Sequence, residues 1–270
     1  MGEVNISVTP VIEIQDISVS FEGFKALTDV TTKIMPHKVH FFIGPNGAGK
    51  TRPSNGKIIY HGGKDLGIRK FVNIDLTKLT EAEIVAEGIG RKFQAPSVFT
   101  SLTVWENMEI SLKGSKSVWG SLLFRISDAQ KKQIENILNF ISLADKKNEK
   151  AASLSHGQKQ WLEIGMLLVQ EPVVVLLDEP VAGMGKEETL KTGQLIKKIS
   201  EKYAVVVVEH DMEFVRAVAD RVTVMHEGKI LVEGSADEVL ADEKVRAVYL
   251  GRGKFHKSGK VENANGGKDA

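Results

Sequence analysis

The sequence contains no cysteine, which excludes disulfides, thiolate metal sites and cysteine nucleophiles. It also lacks an excess of either charge, because 36 Lys and Arg residues balance 35 Asp and Glu residues. Nothing in the overall charge therefore favours nucleic-acid binding, and we expect no nucleic-acid partner. No apolar run approaches the roughly 20 residues that span a bilayer, and residues 1–16 lack the apolar core of a signal peptide. Any membrane role is predicted to be peripheral.

Three short aliphatic runs in the sequence predict buried strands. They are Val39–Ile43, residues 173–177 and Ala204–Val208. Because these runs do not alternate with polar residues, they are typical of strands that are covered on both faces, as in a parallel α/β sheet. Ligand-binding groups in such sheets lie at the carboxyl ends of the strands. The residues that follow the three runs are therefore the first candidates for a functional site.

Helices are predicted wherever a Ser or Thr is followed three residues later by Glu or Gln, because this pair can form a capping box. The sequence offers Thr80 with Glu83, Ser127 with Gln130, Ser155 with Gln158, and Ser235 with Glu238. The second pair precedes an apolar stripe at helical spacing, formed by Ile134, Ile137, Leu138 and Ile141. This stripe is predicted to be core.

A phosphate-binding pattern, G-x-x-x-x-G-K-[ST], follows the first predicted strand. Its residues are Gly44, Pro45, Asn46, Gly47, Ala48, Gly49, Lys50 and Thr51. Backbone N–H groups of such a loop close around phosphate oxygens, the lysine reaches the β- and γ-phosphates, and the hydroxyl of Thr51 can bind Mg²⁺. The alternative is a glycine turn that matches by chance, and the strand before it favours the phosphate site.

Two adjacent carboxylates, Asp178 and Glu179, follow the second predicted strand. Asp178 is assigned to the side of the metal ion, and Glu179 is the candidate general base that accepts a proton from an attacking water. Taken alone, the pair is more typical of a solvated turn.

Two further segments have a structural alternative and a functional one. Ser155, Gly157 and Gln158 begin a predicted helix, and a capped helix start can also bind an anion. His210 follows the third predicted strand, where a lone histidine is more often an incidental polar residue.

Taken in order, these segments resemble the ATP-binding-cassette (ABC) ATPases over residues 11–251. The resemblance implies an α/β fold of the P-loop NTPase type, with a RecA-like core, an antiparallel β subdomain and a helical subdomain at about residues 95–165. It implies that Phe21 stacks on adenine, that Gln94 senses Mg²⁺ and the attacking water, and that His210 contacts the γ-phosphate. Ser155, Gly157 and Gln158 belong to the signature, which binds the ATP held by the opposite protomer.

Within this class the sequence looks most similar to the importers of branched-chain amino acids and urea. The supporting segments are residues 90–94, 102–107, 180–184 and 249–251, and the run at 155–165 resembles the urea-transporter ATPase in particular. The resemblance implies ATP and Mg²⁺ as ligands, integral membrane permease subunits and a second ATPase subunit as partners, and a peripheral position on the cytoplasmic face of the membrane. Residues 252–270 are predicted to be a flexible tail.

The sequence departs from the family directly after Thr51. A helix of several turns is expected there, but the chain continues into Arg52, Pro53 and the turn-forming residues 54–56. Loss of this helix is expected to weaken nucleotide binding and to leave apolar strand surface uncovered. We interpret the gap as an omitted segment, which a break between Thr51 and Arg52 would reveal.

The leading hypothesis is thus an ATP-hydrolysing subunit of an ABC importer, with two nucleotides held between two ATPase subunits. One alternative is a soluble ABC ATPase in translation or DNA repair, although no second cassette or long coiled coil is seen in the sequence. Another is a nucleotide-binding module that is catalytically impaired by the missing helix.

Overall fold

A computed structural model of the chain describes residues 8–21, 24–44, 53–62, 72–92, 98–112 and 126–250. Within these ranges the strands form two sheets. The possible break after Thr51 and the tail at 252–270 lie outside the described residues, so both remain predictions. The division into subdomains also remains a prediction.

The larger sheet is mainly parallel, as the three aliphatic runs predicted. Its strands are β3 (Val39–Ile43), β6 (Ile89–Lys92), β7 (Val174–Asp178), β8 (Ala204–Val208), β9 (Arg221–His226) and β10 (Lys229–Gly234). They lie in the order β10-β9-β3-β8-β7-β6, with only β10 antiparallel to its neighbour. Because β7, β8 and β3 are adjacent and parallel, their carboxyl ends meet at one edge of the sheet.

The smaller sheet is antiparallel and lies against the larger one. It consists of β1 (Ile12–Phe21), β2 (Phe24–Ile34), β4 (Asn55–Tyr60) and β5 (Ile74–Asp75), in the order β2-β1-β4-β5. Gly56 of β4 has a φ of +90°, and a Cβ at this position would lie 2.5 Å from the carbonyl oxygens of Gln15 and Asp16. Only glycine permits this close approach of β4 to β1.

The helices begin largely where the capping boxes predicted. They are α1 (Glu81–Ala86), α2 (Val104–Ile110), α3 (Asp128–Phe140), α4 (His156–Leu168), α5 (Lys186–Ser200), α6 (Met212–Val218), α7 (Ala236–Ala241) and α8 (Glu243–Leu250). Short 3₁₀ turns occupy Leu76–Lys78, Ala144–Lys146 and Ala151–Ser153. All four predicted capping boxes form, and a fifth that the sequence analysis missed joins Thr103 to Glu106.

An apolar cavity of about 370 Å³ separates the two sheets. Ile12, Ile14 and Ile34 line it from the antiparallel sheet, and Phe42, Leu176 and Val206 line it from the larger sheet. Pro53, which directly precedes the β4 region, also lines the cavity. A parallel sheet normally has both faces covered by crossover helices, and the strand before the phosphate pattern is normally followed by one. The cavity therefore lies on the apolar strand surface that loss of the helix after Thr51 was expected to leave uncovered.

We predict that a helix inserted between Thr51 and Arg52 stabilises the chain. A strand of five residues is roughly 17 Å long, so a helix of about 11 residues crosses the same distance. An amphipathic insert that buries two or three leucines in the cavity should raise the free energy of unfolding by at least about 2 kcal/mol. Thermal unfolding measures this. A Gly/Ser insert of equal length is the control, and an equal effect of both inserts would contradict the prediction.

His40 supplies a second prediction, because its ring is buried in β3. The ring lies parallel to that of Phe42 with centroids 4.8 Å apart, and its Nε2 lies 2.7 Å from Thr223 Oγ1. Burial lowers the pKa of His40 to about 4; nearby Glu233 opposes this shift and Arg221 adds to it. The unfolded chain binds a proton at His40 below about pH 6.5, whereas the folded chain does not until about pH 4. The contribution of His40 to the free energy of unfolding is therefore fully present above about pH 6.5. It is lost as the pH falls from there towards about 4.

The expected loss from His40 between pH 7.5 and pH 5 is about 2 kcal/mol. Urea unfolding of the wild-type chain and of His40→Gln across this range measures it. The neutral glutamine should flatten the acid slope, whatever its effect on stability at pH 7.5. Identical slopes in the two proteins would rule out His40 as the cause.

Candidate nucleotide site

The two predicted acids lie at the carboxyl end of β7. Asp178 is the last residue of the strand, and its Oδ2 lies 3.4 Å from the guanidinium Nη2 of Arg91 on the neighbouring β6. Glu179 has a φ of +44°, a left-handed conformation that is uncommon for a residue other than glycine. Its N–H donates to the carbonyl of Val208 at 2.9 Å, which continues the pairing of β7 with β8 by one residue.

Glu179 and His210 lie close together at this edge of the sheet. Nδ1 of His210 is 3.6 Å from Oε1 of Glu179, and the imidazole is 67% exposed whereas the Glu179 side chain is 17% exposed. An exposed imidazole beside a sheltered carboxylate can contact a ligand that approaches from solvent. The structure thus brings three predicted site residues, Asp178, Glu179 and His210, to adjacent strand ends.

Glu209 is a site residue to which the sequence analysis gave no role. Its carboxylate is buried and accepts hydrogen bonds from the backbone N–H groups of His210, Asp211 and Val181, at 2.9, 3.3 and 3.4 Å. It therefore ties the loop that carries His210 to the loop that follows Glu179. The sequence signal was present, since an acid directly after a buried strand must have partners.

The predicted signature residues lie at the start of α4. Ser155 accepts a hydrogen bond from the N–H of Gln158 at 3.2 Å, and Gln158 Oε1 accepts from the N–H of Ser155 at 3.0 Å. Ser155 Oγ also donates to Glu188 Oε1 at 2.9 Å. The start of α4 therefore contacts the first turn of α5, and none of its recorded hydrogen bonds reaches Asp178, Glu179 or His210 among the residues described.

Several predicted site residues lie wholly or partly outside the described part of the chain. Gly44, the residue after β3, is described, and a Cβ there would lie 2.9 Å from Cβ of Met225, which favours glycine. Phe21 is the last residue of β1, but its side chain lies outside the described part of the chain. The remaining phosphate-loop residues, 45–51, and Gln94 also lie outside it. Their roles remain predictions.

A buried ion pair joins β6 to α4. Nζ of Lys92 is 3.6 Å from Oε2 of Glu163, and the two side chains are 0% and 7% exposed. Burial lowers the pKa of Lys92, while the charges of Glu163 and Asp178 oppose this shift. Since β6 leads towards Gln94 and α4 carries the signature, the pair fixes two candidate parts of the site relative to each other.

We predict that Lys92→Met destabilises the chain by about 3–5 kcal/mol, because it leaves the Glu163 carboxylate buried without its ammonium partner. The double variant Lys92→Met with Glu163→Leu should recover most of this loss. Denaturant unfolding measures both. The exposed pair Lys191 and Glu187, on α5, is the control, and breaking it should have a much smaller effect because water screens the two charges. If the losses of stability in the single variants Lys92→Met and Glu163→Leu simply add up in the double variant, the two charges do not interact.

The carboxylate of Asp178 is the kind of ligand that a magnesium ion prefers. Mg²⁺ is usually held by one or two carboxylates together with phosphate oxygens and water, and Asp178 presents a partly exposed carboxylate at the strand end. No cluster of three or more His, Cys, Asp or Glu residues that could hold a metal is found among the described residues. Asp178, with the hydroxyl of Thr51 and the side chain of Gln94, is therefore the candidate set, and it relies on phosphates for further ligands.

The fold and this site together define an ATPase of the ATP-binding-cassette class. The ABC transporter family model matches residues 27–182, which is more than half of the chain, and the chain belongs to that family. A second model, described as a branched-chain amino acid ATP-binding cassette transporter, matches residues 229–254. The predictions of an ABC ATPase fold and of an ATP-hydrolysing enzyme are confirmed.

Relatives of this chain carry transport names. A probable branched-chain amino acid transport ATP-binding protein, LivG of Methanocaldococcus jannaschii, is 32% identical over 251 residues, covering 89% of this chain and 97% of the relative. LivG of Escherichia coli K12, a high-affinity branched-chain amino acid transport ATP-binding protein, is 28% identical over 261 residues, covering 90% and 98%.

Solved structures that are similar to this chain are also ATP-binding cassettes of ABC transporters. The ADP conformation of an ATP-binding cassette of an ABC transporter superimposes with a TM-score of 0.75 at 27% identity, covering 90% of this chain and 99% of that one. A nucleotide-free cassette from an ABC transporter gives 0.73 at 27% identity with the same coverage.

Proposed function

We propose that this chain hydrolyses ATP to drive an importer, as one of two ATPase subunits that close on two nucleotides. The observation that carries the proposal is the meeting of Asp178, Glu179 and His210 at one edge of the parallel sheet. Glu179 lies 3.6 Å from His210. The strand that leads into the phosphate pattern, β3, lies directly beside β8 and ends at the same edge.

In this proposal the described residues divide the work of hydrolysis. Glu179 accepts a proton from the water that attacks the γ-phosphate, while His210 contacts that phosphate. Mg²⁺, held by Asp178, Thr51 and Gln94, would neutralise phosphate charge. Glu209 keeps the loops of the base and the histidine in register through its backbone hydrogen bonds. Phe21 would stack on the adenine ring, and Lys50 would hold the β- and γ-phosphates.

The paired arrangement follows from the position of the signature. Ser155, Gly157 and Gln158 lie at the start of a helix of 13 residues, where free N–H groups and the helix dipole favour an anion. Ser155 Oγ donates to Glu188 on the first turn of α5, and among the described residues no hydrogen bond of Ser155 or Gln158 reaches Asp178, Glu179 or His210. We propose that they bind the phosphates of the nucleotide held by the second ATPase subunit, which is a second copy or a similar chain.

For the transported solute we propose a branched-chain amino acid or urea. The names of the relatives support the first, and the sequence run at residues 155–165 supports the second. The membrane subunits and their binding protein choose the solute, so this chain never touches it. Copurification of the permease subunits, followed by solute-stimulated ATPase assays with valine and with urea, separates the two.

The proposed contact with the membrane subunits is the surface around α2. No helix in the described ranges is both long enough and apolar enough to cross a bilayer. Val98, Phe99 and Trp105 do not form one exposed apolar patch there, because Val98 and Trp105 are half-buried and pack against the core. Trp105 donates its indole N–H to Glu109 at 2.6 Å. Among the described residues of this surface, Phe99 and Ile110, which are 54% and 53% exposed, are available for an apolar contact.

A soluble role in translation or DNA repair is not favoured, since the similar proteins named above are transporter subunits. The impaired-module alternative depends on the phosphate loop, and hydrolysis itself decides it. Complete lack of Mg·ATP hydrolysis in the presence of the membrane subunits would support it.

We predict that Glu179→Gln lowers kcat for Mg·ATP hydrolysis by about 10²–10⁴-fold, because the amide cannot accept the proton of the attacking water. ATP binding should persist, since the glutamine has the same shape. The matched control is Glu171→Gln, because Glu171 lies just before β7 and also has a positive φ, of 49°. Steady-state phosphate release and equilibrium ATP binding are the measurements. Undiminished turnover in Glu179→Gln would remove Glu179 as the base.

A further inference from the structure

The start of α4 already holds an anionic group from its own chain. Glu188 is the third residue of α5, and its Oε1 accepts a hydrogen bond of 2.9 Å from Ser155 Oγ. A Cβ built on Gly157 would lie 2.7 Å from both Cδ and Oε1 of Glu188. The carboxylate therefore lies directly against the first turn of α4, on the two residues proposed to bind phosphate.

The backbone around Glu188 is held firmly in this position. Its carbonyl accepts a hydrogen bond from Thr192 Oγ1 at 2.8 Å, and Thr192 Oγ1 accepts one from the indole N–H of Trp161 at 2.8 Å. Trp161 lies on α4 and is buried. At the start of α4, Nε2 of His156 lies 3.1 Å from the carbonyl oxygen of Ala182. These contacts join α4 to α5 and to the loop before α5, so packing holds the backbone that carries Glu188 beside the start of α4.

The neighbouring Glu187 shows what an ordinary surface glutamate does in the same turn. Its side chain is 82% exposed and pairs with Lys191 at 2.8 Å, one turn further along α5. Glu188, in contrast, is half-buried and faces α4. A comparison of variants at Glu187 and at Glu188 therefore distinguishes two effects. One is the effect of an acid anywhere in this helical turn, and the other is the effect of a carboxylate that contacts Ser155.

A phosphate at the start of α4 would need the same groups that Glu188 now uses. The Ser155 hydroxyl has one proton to donate, and it donates that proton to the carboxylate. The positive end of the α4 dipole is likewise partly compensated by the Glu188 charge. Two anions within a few ångströms also repel each other.

We infer that Glu188 is a built-in competitor for the phosphate of the opposite nucleotide, and so sets the affinity with which two protomers close. This inference rests on the proposed function, in which Ser155 and Gly157 bind the ATP of the second subunit. In the separate protomer the carboxylate satisfies the helix start. On closure it gives up Ser155 to the incoming phosphate, so the chain associates less tightly than it would without this acid.

The test uses the full chain with Glu179→Gln, which holds ATP without turnover. Sedimentation at saturating Mg·ATP gives the dissociation constant of the dimer. Adding Glu188→Gln keeps an oxygen acceptor for Ser155 but removes the negative charge, and it should lower the dissociation constant by about two- to fivefold. Adding Glu187→Gln in place of Glu188→Gln should change nothing. The gain from Glu188→Gln should shrink at high salt, because the effect is electrostatic.

Each other outcome is decisive. An unchanged or weaker dimer in Glu188→Gln overturns the inference and leaves the proposed function intact, since Glu188 would then be neutral or would help to position Ser155. If the Glu188→Gln variant folds poorly, Glu188→Ala replaces it. This variant should lower the dissociation constant of the dimer in the same way. Absence of any ATP-dependent dimer in the Glu179→Gln chain removes the homodimeric arrangement, and this inference with it.

Discussion

The parallel pairing of β7 with β8 is the constraint on which the site depends. Asp178 pairs with Val208, and the N–H of Glu179 continues the pairing to the Val208 carbonyl. This register leaves Glu179 and the residue two places after Val208, His210, at the same edge of the sheet. The left-handed backbone of Glu179 turns the chain there, and the buried Glu209 carboxylate binds both loops through their N–H groups. The candidate pair of Glu179 and His210 is thus positioned mainly by backbone hydrogen bonds.

The helices on one side of the sheet connect this edge to the proposed second nucleotide surface. Lys92 and Glu163 join β6 to α4 through a buried ion pair, and Trp161 with Thr192 joins α4 to α5. The segment from Glu179 to Glu188 then runs from the catalytic edge to the start of α4. This segment contacts the start of α4 through Ala182 and Glu188, so the end of β7 and the signature are joined by ten residues of packed chain.

The cavity between the sheets lies on strand surface that the helix expected after the phosphate loop would cover. Strands that would be covered on both faces in an ordinary parallel sheet line an apolar space with Phe42, Leu176 and Val206. The rest of the core is closely packed, with Val39, Phe41 and Ile43 of β3 fully buried. The cavity thus lies on one face of the larger sheet, whereas Asp178, Glu179 and His210 lie at the carboxyl ends of its strands.

The sequence by itself determined three buried strands, four helix starts and the identity of Asp178, Glu179, Ser155 and His210 as candidates, because aliphatic runs and capping boxes act within a few residues. It did not reveal that Trp105 is half-buried, that Glu209 bridges two loops, or that Glu188 lies on Ser155. Those contacts join residues from different elements, and Ser155 and Glu188, which are 33 residues apart in the sequence, carry no local signal of their meeting. Only the packing of α4 against α5 decided it, since tertiary contacts depend on how whole elements bury their apolar faces.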